Sequence, residues 1–321
     1  MHLSDLPDLT ALTQSIPFDP KQLVGIPFAL VGAVFMSVGA QLQHRGVGKV
    51  GTNSGGLEKS GLNFKQFLSL FGRPSWLIGT TLLGLAIVFQ LISLGFSPLI
   101  VVQPIGAIAL VITAILNARV TKTHLNRASI AAVILCVGGI AIFVTVAAFT
   151  ARNAPMTSHE LQQILIVLVI VLLVSSAAYF IFKKHLSALI YIVGAGVLYG
   201  FVATLAKVVI TSILQGTQDP LMWACLVGLV AAAALGAVFV QNAYSSGPPD
   251  LVIAGLTVVD PIVAVTIGIV ILHEASQAPW WAGIIYAVAG FISIVGVFLL
   301  AKFHPHAGEN TATAAQPIVS K

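Results

Sequence analysis

Apolar stretches of about 20 residues, separated by short polar connections, run along most of the sequence. A helix of that length crosses the hydrocarbon core of a bilayer. Because lipid offers no hydrogen-bond partners to the backbone, a spanning segment must satisfy its own N–H and C=O groups, as a helix does. The strands of a membrane barrel would instead alternate apolar and polar residues, and this chain does not. The sequence therefore predicts an all-α, polytopic membrane protein.

The composition excludes a soluble protein. Charged residues make up 8% of the chain and hydrophobic residues 58%, whereas a soluble domain is about 25% charged. The net charge of +5 comes from basic residues between the apolar stretches, where they set membrane orientation. We therefore expect the lipid bilayer as a partner, no nucleic acid and no cofactor. Cys136 and Cys225 lie within apolar stretches, and we interpret both as buried small hydrophobic residues.

Nine transmembrane helices account for the apolar stretches and for the charge pattern. We place the spans at 23–43, 75–95, 98–118, 127–149, 161–182, 187–210, 220–241, 250–272 and 279–301. If the N-terminus lies outside, the cytoplasmic connections hold nearly all basic residues, and the outer segments hold only Lys21 and Arg152. This asymmetry indicates a multi-pass protein of the cell membrane with an outer N-terminus and a cytoplasmic C-terminus.

Three segments lie outside the predicted spans. Residues 1–22 form an extracytoplasmic N-terminal segment, and residues 44–74 form a long cytoplasmic loop. Within that loop we interpret residues 63–71 as a short interfacial helix; the alternative is a re-entrant segment or a tenth span. Residues 302–321 have no apolar period, and we expect a disordered cytoplasmic tail.

Short sequences recur in the same order in the two halves of the chain. Val31-Gly32-Ala33 matches Val193-Gly194-Ala195, and the VVQPI of residues 101–105 matches the VVDPI of residues 258–262. The pattern predicts a four-helix unit over 23–149, a linker helix over 161–182 and a second four-helix unit over 187–301. Because a single crossing separates them, the second unit must be inverted. Secondary transporters use such repeats and rock them around a central site.

The stretch Gly84–Ala114, with FSPLIVVQPIGA at residues 96–107, resembles the drug/metabolite transporter superfamily. The nine-span layout, the VQPIGA core and the QHRG of residues 43–46 resemble the NIPA-type magnesium transporter branch and its bacterial EamA-like relatives. The resemblance covers about residues 23–301 and implies secondary transport. Where NIPA-type proteins tend to carry an acidic residue, in the span before the PxGA helix, the polar residue here is Gln90.

Asp260 has the clearest chemical role among the candidate site residues. It lies near the middle of the eighth predicted span and is the only acidic residue placed deep in the membrane. A carboxylate at the centre of a membrane helix costs about 2.5–3.5 kcal/mol to insert, so it should face a cavity or a partner. Asp260 is therefore a candidate for binding a cation, carrying a proton or holding a metal ion. The alternative is a structural carboxylate at a helix interface.

Prolines follow a polar residue in both matching spans, as Gln103-Pro104 and Asp260-Pro261. Proline lacks an N–H group, so the carbonyl four residues earlier loses its helical hydrogen bond. We predict helix breaks at Pro104 and Pro261, beside a substrate or coupling-ion site that includes Gln103 and Asp260. The alternative for Gln103-Pro104 is a kinked packing helix.

Lys207, Gln90 and Gln41 are further candidates for the substrate or coupling-ion site. The Lys207 side chain has three alternatives, which are to reach the outer interface, to pair with Asp260 or to contact an anionic substrate. Gln41 continues a stripe of small residues at four-residue spacing that we interpret as a packing surface. The other members of the stripe are Gly25, Ala29, Ala33 and Ser37.

Several functions are compatible with the sequence. The first is a secondary transporter of small solutes, coupled to protons or cations by alternating access. The alternatives are a transporter of magnesium or other divalent cations, and a non-transporting scaffold or a component of a flippase for lipid-linked substrates. An intramembrane enzyme is not expected, because it would need a Ser–His pair, paired aspartates or an HExxH helix. The oligomeric state is open, and a homodimer is one alternative.

Overall fold

Ten α-helices make up nearly all of the described chain. The computed structural model describes residues 20–53, 72–121, 126–153, 157–182, 186–216 and 220–303. After a 3₁₀ turn at Pro20–Val24, the helices are α1 (Gly25–Asn53), α2 (Pro74–Phe96), α3 (Leu99–Gly106), α4 (Ile108–Thr121), α5 (Arg127–Thr150), α6 (Ser158–Phe182), α7 (Ala188–Gln215), α8 (Pro220–Ser246), α9 (Pro249–Val270) and α10 (Trp280–Phe303). Among the described residues, nine apolar segments of 20 to 28 residues are long enough to cross a membrane. The prediction of an all-α, polytopic membrane protein with nine spans is confirmed for the described residues.

The third span is divided into α3 and α4 at Ala107. We expected the break at Pro104, but Pro104 lies inside α3 and the interruption comes three residues later. The break expected at Pro261 is wrong, because α9 runs without interruption from Pro249 to Val270. A proline leaves the helix hydrogen-bond ladder one donor short without necessarily ending the helix.

The helices α1 and α10 end later than the segment boundaries expected from the sequence. α1 continues to Asn53, ten residues past the expected end of the first span, so the long connection begins later than residue 44. α10 ends at Phe303, just inside the segment that we expected to be a disordered tail. The expected interfacial helix at 63–71, the N-terminal residues 1–19 and the tail residues 304–321 lie outside the described residues.

Glycines set the closest approaches between helices. α1 packs along α2, where a Cβ on Gly39 would lie 2.9 Å from the carbonyl oxygen of Gly79. α5 crosses α10, where a Cβ on Gly296 would lie 2.4 Å from the Cys136 nitrogen. Only glycine permits such backbone contact, and small residues drive association where lipid supplies no hydrophobic force.

The small-residue stripe of α1 packs as expected. Ala29, Ala33 and Ser37 are buried, and the Ser37 hydroxyl contacts the carbonyl oxygen of Ala109 in α4 at 2.8 Å. The stripe therefore brings α1 against the third span.

Helices α3 and α9 pack against each other in the interior, and α7 packs along α9. By contrast, α6 packs on α7 and α8 and leaves large apolar side chains exposed, such as Phe180 at 75%. Lipid can cover such a surface. Gln103 of α3 and Lys207 of α7 are buried within this interior.

Candidate functional site

Asp260 lies in the middle of α9, and one of its oxygens has no partner. The Oδ1 atom is buried and accepts no hydrogen bond from any described residue. α7 approaches this turn closely, since a Cβ on Gly196 would lie 2.5 Å from Val259 Cβ and 3.3 Å from the Asp260 nitrogen. Tyr199 lies on α7 about one turn after Gly196.

Gln103 presents the complementary feature on α3. Its side chain is 6% exposed, and its Nε2 donor has no partner among the described residues. Folded proteins pair most of their buried polar groups, and leaving one unpaired costs about 1–3 kcal/mol. An unpaired donor and an unpaired acceptor in neighbouring helices indicate a region where a bound ligand or water supplies the missing hydrogen-bond partners.

The contact between α3 and α9 places Gln103 and Asp260 about one helical turn apart in depth. Leu99 of α3 faces Gly268 of α9, where a Cβ would lie 3.3 Å from Leu99 Cβ. Gln103 is four residues from this level and Asp260 eight, so they differ in depth by about 6 Å at 1.5 Å per residue. Below that level Pro104, Thr257 and Pro261 line one cavity of about 100 Å³. Both prolines therefore line the same cavity, and each directly follows one of the two polar residues in sequence.

The other glutamines are not joined to this site. Gln90 and Gln41 are partly buried, in α2 and α1. No hydrogen bond described in the structure links either side chain to Gln103 or Asp260. Their assignment to the substrate pathway stays a prediction. Among the described residues, no group of three or more His, Cys, Asp or Glu could hold a metal ion.

Lys207 lies in a second polar cluster that the sequence did not indicate. Its Nζ donates to the carbonyl oxygen of Ser97 at 2.8 Å, to Asn153 Oδ1 at 2.7 Å and to the carbonyl oxygen of Leu94 at 3.4 Å. Glu274 Oε1 lies 3.5 Å from the same nitrogen. Because Lys207 is only 3% exposed, the expectation that it extends to the outer interface is wrong, and its acidic partner is Glu274 instead of Asp260.

Glu274 holds the beginning of α3. Its carboxylate accepts hydrogen bonds from the backbone nitrogens of Leu99 at 2.8 Å and Ile100 at 3.0 Å. The first amides of a helix have no partner within it and carry a partial positive charge, so a carboxylate is well placed there. Glu274 is only 2% exposed, so its charge is removed from solvent.

The backbone around Glu274 turns the chain back into the bundle. His273 has a positive φ of 54°, and the Glu274 nitrogen donates to the carbonyl oxygen of Gly268 at 2.9 Å. The Arg152 nitrogen donates to the Glu274 carbonyl oxygen at 2.7 Å. The rule that a lysine inside a span needs a partner predicts an acidic partner for Lys207, but it does not identify Glu274.

Comparisons with known proteins agree with the architecture. A family model described as "Magnesium transporter NIPA" matches residues 20–306. An uncharacterised protein of Corynebacterium glutamicum is 27% identical over 284 residues, which cover 88% of this chain and 96% of the relative. No solved structure matches. The family match covers all nine spans and confirms the resemblance stated above: the chain belongs to the NIPA family of membrane transporters, within the drug/metabolite transporter-like clan.

Proposed function

We propose that this chain moves divalent cations, magnesium among them, across the membrane, and that Asp260 is the carboxylate that the cation contacts at mid-membrane. The observation that carries the proposal is the buried, unpartnered Oδ1 of Asp260 in the middle of α9. The family to which the chain belongs is described as one of magnesium transporters, and this description supports the choice of cargo.

The surroundings of Asp260 fit a cation that keeps part of its water. Magnesium loses its water reluctantly and is often held by one or two carboxylates together with several waters. One carboxylate is available at Asp260. Thr257 lies one turn earlier, and its carbonyl oxygen cannot receive the usual helical bond because residue 261 is proline. These are oxygen ligands, which magnesium prefers.

The packing of helices supports an alternating-access mechanism. α1 packs on α2 and on the third span, and α7 packs in the same way on α8 and α9. Three further pairs join the halves, namely α3 with α9, α5 with α10 and α2 with α7. We propose that the halves are inverted repeats that rock about these pairs, with the N-terminus outside.

A proton-coupled carrier of small organic solutes is the second candidate. The observation that favours it is that Thr257 and Pro261, which flank Asp260 on α9, line a largely apolar cavity. In that mechanism Asp260 would carry the proton instead of contacting the cargo.

Flux through proteoliposomes separates the two candidates. Purified protein is reconstituted with an internal magnesium indicator, and proton and organic-cation fluxes are measured in parallel. We expect magnesium entry without any organic substrate, and at least a tenfold loss in Asp260→Asn. Glu160→Gln, an equivalent change at an exposed carboxylate, is the control and should keep full flux.

Two results would contradict the assignment. Undiminished magnesium flux in Asp260→Asn would remove Asp260 from the pathway. Solute flux that depends on a proton gradient, together with no magnesium flux, would favour the second candidate.

A further inference from the structure

The cluster around Lys207 and Glu274 joins many chain segments at one end of the bundle. At this end α1 and α3 begin, and α2, α5 and α9 end; we refer to it as the Glu274 end. Glu274 binds the first amides of α3, and Lys207 of α7 binds the last carbonyls of α2. Asn153, just after α5, accepts from Lys207 and donates to the carbonyl oxygen of Phe96 at 2.7 Å. The cluster therefore links both halves of the chain.

Stability alone does not account for charges in this position. A buried ion pair can be replaced by apolar side chains of similar volume with little loss, and often with a gain. The same charges lower the cost of separating the segments, because water solvates an ammonium and a carboxylate when they part. An apolar plug would expose only hydrophobic surface on opening. The chemistry is thus suited to a contact that opens and closes.

The carboxylate of the cluster has no counterpart in the matching connection of the first half. Residues 119–126, which join the third and fourth spans as residues 271–279 join the eighth and ninth, contain no Asp or Glu. Between residues that the structure describes, Lys207–Glu274 is also the only salt bridge. The Glu274 end is therefore held by a buried ion pair.

We propose that Lys207 and Glu274 form the lock of a gate at the Glu274 end, which is closed in this conformation and opens when water separates the pair. This inference rests on the proposed transport function, because it assigns the closed side of the alternating-access cycle. Glu274 is the positioning residue for the start of α3, and Gln103 lies one helical turn beyond the amides that it holds.

The test measures access to Gln103 from the Glu274 end. Gln103→Cys is combined with Glu274→Gln, and labelling by a charged, membrane-impermeant maleimide is followed by peptide mass spectrometry in intact cells and in inverted vesicles. We expect Glu274→Gln to raise the labelling rate at residue 103 at least tenfold from the Glu274 side. The matched control Glu160→Gln should change the rate by less than twofold.

The native cysteines report whether the fold has loosened. Cys136 and Cys225 are each 0% exposed, so both should stay unlabelled. If Glu274→Gln labels them, Asn153→Leu decides the question, because it removes one acceptor of Lys207 and leaves both charges in place. It should raise labelling at residue 103 by threefold or more while the native cysteines stay unlabelled.

The outcomes distinguish this proposal from the proposed function. Unchanged labelling at residue 103 in Glu274→Gln overturns the lock, whether or not the protein transports cations. If Glu274→Gln also labels the native cysteines, unchanged labelling in Asn153→Leu overturns it instead. Faster labelling in a protein that moves no cation or solute in liposomes would support the gate and overturn the proposed transport. The labelling readout does not depend on the identity of the cargo.

Discussion

The close crossing of α5 and α10 leaves no room for a methyl group at Gly139. A methyl group on Gly139 would lie 2.7 Å from the Ser293 nitrogen and 2.8 Å from the carbonyl oxygen of Ala289. Favourable contact needs roughly 3.5 Å, so the α10 backbone would have to move by about 0.8 Å. Backbone atoms cannot change rotamer, and forced repacking of this kind costs about 1–3 kcal/mol. We therefore expect Gly139→Ala to be destabilising.

The neighbouring residue supplies the control. A methyl group on Gly138 meets nothing within 4 Å, and both changes gain the same helix propensity, about 1 kcal/mol in a soluble helix. That gain cancels when the two variants are compared. Gly139→Ala should therefore be less stable than Gly138→Ala by about 1–3 kcal/mol, whatever the propensity is worth in a membrane.

Reversible unfolding in mixed detergent micelles measures this difference. Both variants are titrated with a denaturing detergent under one set of conditions, and helix loss is followed by circular dichroism. Equal stabilities, or a more stable Gly139→Ala, would show that α5 and α10 do not approach as closely as the structure has them.

Three further predictions concern the polar groups. Gln103→Leu removes an unpaired buried donor, so the free energy of unfolding should stay constant or rise by up to about 1 kcal/mol. Cation flux should fall in the same variant. A clear loss of stability would reveal an overlooked hydrogen-bond partner of Gln103. Lys207→Met leaves the Glu274 charge without its cation and should lower the free energy of unfolding by about 3–5 kcal/mol. The double variant with Glu274→Gln should lose less stability than the sum of the two single variants. Strict additivity would argue against coupling between the two residues. Gly196→Ala would place a methyl group 2.5 Å from Val259 Cβ and should reduce flux by displacing the α9 turn next to it; normal transport in liposomes would contradict that geometry.

Hydropathy and charge were enough to predict the spans, because crossing lipid imposes one length and one backbone conformation. The expected second and fourth spans, 75–95 and 127–149, differ from α2 and α5 by one residue at most at each end. The first span, expected at 23–43, agrees with the apolar segment Gln22–Gln43, although lipid thickness limits the apolar stretch and does not limit the helix. α1 continues past it to Asn53.

The site was only partly predictable. Asp260 and Gln103 could be found because a polar residue before a proline is conspicuous in an apolar span. Glu274 could not be placed in the same way. It follows the end of α9, and its burial depends on the reversal at His273 and on the unpaired amides of α3, which are distant in sequence. The break at Ala107 could not be located from sequence either, because a proline inside a helix does not by itself determine where the helix ends.

The length of α1 has a mechanical consequence. The helix is a single rod of 29 residues, about 44 Å long at 1.5 Å per residue, against a hydrocarbon core of about 30 Å. From the contact with α2 at Gly39, the arm to Asn53 measures about 21 Å. A tilt of roughly 5° at that pivot swings the far tip by about 2 Å, so small rocking of α1 is magnified there. A spin label at Asn53 would register this displacement more sensitively than one beside the pivot.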